Sequence, residues 1–397
     1  MRFLSLRLRA GRLLHSRQLV LLLLLVLVAV WFGRTTRFGF VDYDENSHIT
    51  DNALIRSLAP RSVWAMFTDL SGRSYYPVRH FSFAVDYAIW KLNPAGYHLS
   101  NIMLHSANTG LLYLLILRGV RRQQQARARG ATPTTPEDGP PQANLVAVAA
   151  GVGAAVFAIH PVVVEPVAWV SGREELLMVF FGLLCLHSHQ TARHLEDRRR
   201  CGEVTSAVPE WLWHGLAWLC FAFACMSNAV GATVTALVLM HDLLVERIRS
   251  VWRIVGGNWP MWAMGVGAVL LKLSHQDIQP PAEHSRTLLV LSTSERIYTA
   301  FSLYAQNLKT VVWPRELVLV YPNLLARSLF APTTVAGLLL AALTLAVLWR
   351  VRHKLLVVTG LVWFLLALTP SAQLLPHHIF RADRFLYLPM AGAAWII

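Results

Sequence analysis

The stretch FGFVDYDENSHITDN (38–52) concentrates the residue types that move protons: Asp42, Asp44, Glu45, His48 and Asp51 follow one another closely. Paired carboxylates suit general-base work on a hydroxyl. An ionised carboxylate is costly in hydrocarbon, so the segment belongs in water or in a wet cavity at a membrane surface. Asp42, Asp44 and His48 could also group around a divalent ion, although no metal site is expected here. The plainest reading is an acidic loop that merely separates two apolar segments. Nearly everything after it is apolar or interfacial, so membrane helices must position these groups.

The composition agrees. The chain of 397 residues is 55% hydrophobic and 15% charged, against about a quarter charged in ordinary globular domains. Its mean hydropathy is +0.45. A net charge of +14 raises nucleic acid as a partner, but the arginines cluster at the ends of apolar runs. Anionic lipid and membrane topology account for them there, and no nucleic-acid role is expected. Cys185, Cys201, Cys220 and Cys225 lack ligand-like spacing and read as packing residues, with neither a disulfide framework nor a metal cluster implied.

In chain order, Leu19–Phe32 is a first span whose flanking Arg2, Arg7, Arg9, Arg12 and Arg17 predict a cytoplasmic N-terminus. A signal peptide competes, but no small-x-small cleavage site follows the apolar core. The first outer loop then runs over about 37–96, with short interfacial helices expected near Ser57–Met66 and His80–Trp90. Asn93-Pro94-Ala95-Gly96 is a turn, and Tyr97–Leu117 is the second span. His98, Asn101, His105 and Asn108 share one face of it. Residues 119–143 read as a flexible cytoplasmic linker ending in the ATPTTPEDGPPQ tract. Further apolar segments give about ten or eleven spans in one all-α, polytopic domain over 1–397. Ile297–Val312 stands either as a span or as a re-entrant segment, and the re-entrant choice keeps RVRHK (350–354) inside. The last helix stops short of a full span at 397, as a truncated chain would.

This assignment brings four polar clusters to one outer side: 42–45, 160–175, 283–295 and 381–384. Their mixture of acids, histidine and arginine suits a site for a phosphate-linked lipid, which needs cations for phosphate, a base, and an apolar groove. Asp44 is the expected base or orienting carboxylate, with Glu45 as its partner. Arg173, Arg381 and Arg384 are candidates for the donor phosphate. Asp42, His98, Asn101, His105, His160 and Glu165 are supporting residues. His160 serves equally as a helix-end cap.

Several blocks together resemble a known family. They are FVDYDEN, YYPVRHFSFAVDYAIWKLNPAGYHLSNIMLHSANTGLLYLLILR (75–118), FAIHPVVVEPVAWVSGREELL (157–177), CMSNAVGATVTALVLMHDLL (225–244), LSTSERIYTAFSLYAQNLKTVVWPRELVLVYP (291–322) and ADRFLYLP (382–389). They resemble the transmembrane O-mannosyltransferases that modify cadherins, particularly the bacterial relatives of those enzymes. The resemblance implies a type-C glycosyltransferase bundle. It also implies a polyprenyl- or dolichyl-phosphate sugar as donor and a protein or glycan hydroxyl as acceptor on the non-cytoplasmic face. The sugar is mannose in the named enzymes. An acidic pair in the first outer loop is the family's usual catalytic feature, and Asp44-Glu45 occupies that place. Relatives often carry consecutive Asp there, Ser-Lys where this chain has Ser227-Asn228, and a C-terminal tetratricopeptide array that is not found here. No cofactor is implied beyond the lipid-linked sugar as donor substrate. A bacterial inner membrane is preferred to the endoplasmic reticulum. A lipid-linked saccharide transporter or flippase, or a non-catalytic scaffold, is the alternative.

Overall fold

The computed structural model describes residues 2–70, 75–130, 140–202, 208–276, 291–319, 321, 325–373 and 379–396, with only the backbone of 2–15, 125–130, 140–143 and 275–276. The central part of the 119–143 linker, Asp277, Pro280, Pro281 and Glu283 of the expected second outer loop, and His377 and His378 lie outside the described residues.

The described residues are essentially all helical. In chain order the α-helices are α1 (Arg2–Phe32), α2 (Pro60–Thr68), α3 (Pro77–Trp90), α4 (Pro94–Gly130), α5 (Pro140–Ile159), α6 (Val164–Ala168), α7 (Arg173–Arg200), α8 (Glu210–Ser227), α9 (Val234–Met240), α10 (Val251–Gln276), α11 (Thr293–Val312), α12 (Pro332–Arg350), α13 (Leu355–Leu368) and α14 (Tyr387–Ala393). Local sequence explains many of the starts. Pro60, Pro77 and Pro332 open α2, α3 and α12, where a missing N–H costs nothing. Ser292 and Glu295 close a reciprocal capping box on α11. The Asn93 side chain accepts from Ala95 N at 3.2 Å to begin α4. The interfacial helices expected near 57–66 and 80–90 are α2 and α3.

Three helical stretches are long and apolar enough to cross a membrane: Ser16–Arg37, Val251–Ser274 and Pro332–Arg350. Asn144–Ile159 with Pro161–Ala168, bent by 52°, makes a fourth if the pair is one span. The sequence expectation of ten or eleven spans is therefore met only in part, for physical reasons. Helices α4 and α7 bury polar and charged residues, from His98 to Thr109 on α4 and at Arg173, Glu175, His187 to Gln190 and Arg193 on α7. The segment after Ser227 is broken into a short 3-10 turn, α9 and a π-helical turn over His241–Val245.

Two cores hold the fold. The larger gathers Leu112, Phe157, Leu176, Phe221, Trp363 and Tyr387, all almost fully buried, from five long helices and α14. The smaller joins Ile49, Ile55, Met66, Phe83, Tyr97 and Val170. It anchors the acidic stretch to α2, α3, the start of α4 and the turn before α7. Helices α11 and α12 run parallel: Thr334 Oγ1 donates to Tyr298 O at 3.4 Å and Tyr304 pairs with Thr344 at 2.6 Å. The connecting segment must return along α11, and Ala326 N bonds back to Thr299 Oγ1 at 3.2 Å on the way. That course is the one a segment entering and leaving at the same end requires.

Helices α13 and α14 meet through glycines. A Cβ on Gly392 would lie 2.7 Å from both Phe364 N and Trp363 Cδ1. Gly392→Ala should destabilise the protein by about 1–3 kcal/mol through forced overpacking, read as a lowered Tm in detergent. Gly215→Ala, whose Cβ meets nothing within 4 Å, should leave Tm within error. Equal melting of the two variants would remove this contact from the account of the fold.

Candidate functional site

Glu45 is fully buried at the edge of the small core. Its carboxylate accepts from Val41 N and, at 3.0 Å, from Val170 N. Burial pushes its pKa above the usual carboxylate range; backbone N–H groups of Val41, Val170 and Ser171 oppose this, and Asp44 adds to the rise. Glu45 thus clips the acidic stretch to the turn before α7. His48 makes a second clip, Nδ1 to Ser171 Oγ at 3.2 Å. Burial first, then Arg79 and His80, holds His48 down at about 2, so the ring is neutral near pH 7. Asp44, between these anchors, is half-buried, and its carboxylate has no partner among the described residues. Asp42 is exposed and bonded to Asn46.

Arg173 is the best-anchored charge of the site and is 1% exposed. Its Nε donates to Asn101 Oδ1 at 2.8 Å, Nη2 to Tyr97 O at 2.8 Å and Nη1 to Asp86. The guanidinium also stacks over Phe83 at 4.6 Å. All three of its nitrogens are committed to protein, so the structure makes Arg173 a tie between α3, α4 and α7, where the sequence suggested a phosphate ligand. Asn101 completes the tie, donating to Trp169 O at 3.1 Å. His105 lies deeper, its Nδ1 2.7 Å from the Tyr387 hydroxyl and its Nε2 2.9 Å from Ala158 O. It locks α4 to α5 and α14. His98 is buried edge-on to Phe38. His160 accepts from Val162 N at 3.3 Å and contacts Val311 O at 3.0 Å, which is the helix-end cap.

The last loop supplies the other side. Arg384 donates from its backbone N to Glu165 Oε2 at 2.8 Å and from Nη1 to Oε1. Its guanidinium lies 5.2 Å over Trp169, which meets Tyr43 at 5.9 Å. Tyr43, Trp169 and Arg384 therefore form a continuous row joining the residue beside Asp44 to the arginine. Arg381 covers Tyr321 at 3.9 Å and bonds to Gln306 and Thr310. The Tyr321 hydroxyl donates to Asp383 at 2.7 Å. Burial raises the Asp383 carboxyl to about 6 despite Tyr321, Arg381 and Arg384.

Behind this row lies an apolar cavity of about 470 Å³ between α7, α9, α10 and α13. Glu175 and Lys272 are its charged lining residues, and Phe385, next to Arg384, also lines it. Asn228 donates to Glu175 at 3.1 Å and caps the following 3-10 turn. Lys272 was not singled out from sequence, although a lone lysine in an apolar helix is the available signal. Three potential metal-ligand atoms lie within 4.8 Å of one another at His189, His241 and Asp242, toward the far end of α7; Asp42, Asp44 and His48 form no such group among the described residues. Asp242 already accepts from Arg193 at 2.8 Å and Asn258 at 2.8 Å as well as contacting His189 at 2.7 Å. A cation beside that guanidinium would meet repulsion, which disfavours a metal there.

Fold and site define a helical membrane protein whose polar centre is built on the segment before α7. No family model and no solved structure matches the chain. Among curated proteins it is similar to Protein O-mannosyl-transferase Tmtc3 of Drosophila melanogaster, 29% identical over 225 residues, covering 54% of this chain and 23% of the relative. Human Protein O-mannosyl-transferase TMTC4 is 27% identical over 228 residues, 54% of this chain and 28% of the relative. Human Protein O-mannosyl-transferase TMTC2 is 28% identical over 219 residues, 51% and 21%. The chain spans less than a third of the length of these relatives. Their animal origin overturns the expectation of a bacterial inner membrane and favours the endoplasmic reticulum membrane.

Arg173→Met leaves Asp86 buried and unpaired, and should cost about 3–5 kcal/mol of stability. Arg173→Met combined with Asp86→Leu should recover part of that loss in detergent unfolding curves. A single variant as stable as the parent would show that the tie does not hold the segment.

Proposed function

We propose that the chain is a glycosyltransferase of the type-C architecture, moving a sugar from a polyprenyl- or dolichyl-phosphate carrier to a protein or glycan hydroxyl. The observation that carries this reading is the row Tyr43–Trp169–Arg384, an aromatic surface that links the residue next to Asp44 to a buried arginine. The similarity to proteins named O-mannosyl-transferases supports the reaction class and makes mannose the first sugar to test. The cavity beside Arg384 is apolar, as an isoprenoid chain needs.

In this reading Asp44 accepts the proton of the acceptor hydroxyl as its oxygen attacks the anomeric carbon. The bond from that carbon to the phosphate oxygen breaks, and the phosphate leaves with the electron pair. Arg384, with Nη1 held by Glu165, and Arg381 offset the growing negative charge. Glu45 fixes the loop that carries Asp44, and Arg173 positions the segment to which Glu45 is clipped. The transporter reading finds no support among the described residues. The side chains that α7 buries between its polar ends are apolar, namely Leu176, Leu177, Met178, Val179, Leu183, Cys185 and Leu186.

Two measurements test this. Asp44→Asn keeps shape but removes basicity, so turnover in nanodiscs with a polyprenyl-phosphate mannose should fall about 10²–10⁴-fold while donor binding changes little. Near-normal turnover in that variant would end the catalytic assignment. Donor affinity should also depend on pH through Asp383. Above about 6 its carboxylate offsets Arg381 and Arg384, and below that value it is neutral. A phosphodiester keeps its charge throughout, so donor binding should tighten as pH falls from about 7.5 to about 5. Asp383→Asn should flatten that dependence, and a slope unchanged in this variant would place the titrating group elsewhere.

A further inference from the structure

The far end of α7 carries a second pocket, of about 440 Å³, between α7, α8 and the start of α10. From Glu175 to Glu196 the helix rises roughly 30 Å, which matches the hydrocarbon thickness of a bilayer. With α7 standing along the bilayer normal, that rise puts the two polar regions at opposite membrane faces. The floor of the pocket is fixed by Arg193, 2% exposed, which is held by Asp242 at 2.8 Å and Glu196 at 3.2 Å. His214 lines the wall; its Nε2 meets Glu196 at 2.6 Å and its buried Nδ1 has no partner. Arg199 bonds to Glu210 at 2.5 Å yet its side chain is 67% exposed. Arg200 is exposed with no partner among the described residues. Trp211 and Trp252, 66% and 85% exposed, flank the opening.

Exposed tryptophans beside arginines are the signature of the headgroup layer. Four arginines against two glutamates leave the lining cationic, while the glutamates offer acceptors that bare phosphate would not use. We propose that this pocket binds the headgroup of an anionic phospholipid bearing hydroxyls, of the phosphatidylglycerol or phosphatidylinositol class, from the membrane face opposite the candidate site. Arg199 and Arg200 take the phosphate, Glu196 and Glu210 take headgroup hydroxyls, and Trp211 and Trp252 seat the glycerol backbone. This site is independent of the proposed transferase reaction.

The test is native mass spectrometry of the delipidated full chain with phosphatidylglycerol, phosphatidylserine or phosphatidylcholine. Phosphatidylglycerol should be retained most strongly, and Arg199→Gln/Arg200→Gln should weaken its retention about 10- to 30-fold. The control Arg315→Gln/Arg327→Gln removes the same charge from two other exposed arginines and should leave retention unchanged. Equal retention of phosphatidylcholine, or an equal loss in the control, would overturn the site. Phosphatidylserine held as tightly as phosphatidylglycerol would overturn the hydroxyl contacts. Circular-dichroism melting of both double variants, expected to match the parent, separates lost binding from lost fold.

Discussion

A guanidinium removed from water has to be matched by a carboxylate and by acceptors for its remaining N–H groups, and Arg173 finds all of these in one place. Asp86 comes from α3, Tyr97 O and Asn101 from α4, and the arginine itself opens α7. The three residues before it, Val170, Ser171 and Gly172, are thereby fixed in space. Val170 and Ser171 are the partners that hold Glu45 and His48. Gly172 is pressed so closely against Pro166 that an added Cβ would lie 2.8 Å from its Cα. The geometry of the acidic stretch is thus set by a buried ion pair several steps away from Asp44, and the small core around Tyr97 fills the space between them.

Much of the plan was legible because an apolar chain makes its polar residues conspicuous. The acidic stretch, the polar face of α4, the short α2 and α3, and the HPVVVEPVAWVSGR segment all stood out against hydrocarbon. What sequence could not supply was pairing. Arg173 looked like a phosphate ligand because its partner, Asp86, lies in another helix. For His160 the sequence offered a site residue or a helix-end cap equally, and the backbone around Val162 and Val311 shows the cap. The HSHQTARHLEDRRR run at the end of α7 read simply as a basic flank, whereas His189 and Arg193 turn inward to Asp242. The span count was met only in part for a related reason. Helices such as α4 and α7 bury polar groups against one another, and hydropathy alone cannot say which face a polar residue occupies.

Helix α7 is the axis of the molecule in an electrostatic sense. Its first turn carries Arg173, Glu174 and Glu175 and its far part carries His187 to Arg200, while the side chains it buries from Leu176 to Leu186 are apolar. An anion bound at one end lies roughly 30 Å from the charges at the other, and Coulomb attraction falls with that distance even where salt cannot screen it. The two polar ends can accordingly take different ligands without direct coupling through charge. Any coupling would have to travel through the packing of α7 against α8, which Cys185, Phe221 and their neighbours fill closely.

Charge balance decides what the candidate site can hold. Counting Arg384 itself, four cations (Arg79, Arg381, Lys272 and Arg384) stand with four carboxyl groups (Glu165, Glu174, Glu175 and Asp383) at this end of the bundle. A balanced cluster is tolerable when empty, because each buried charge has a partner: Arg79 with Glu174 at 2.5 Å, Arg384 with Glu165, and Glu175 with Asn228 at 3.1 Å. Burial lifts Glu175 to about 8, so near pH 7 the cluster already leans cationic, and an added phosphate is favoured further where a second carboxylate gives up its charge. Asp383 is the group placed to do so, since burial already holds it near 6 and the Tyr321 hydroxyl can turn from donor to acceptor when the acid is protonated. An anion bound at this end of the bundle would therefore favour uptake of a proton by Asp383.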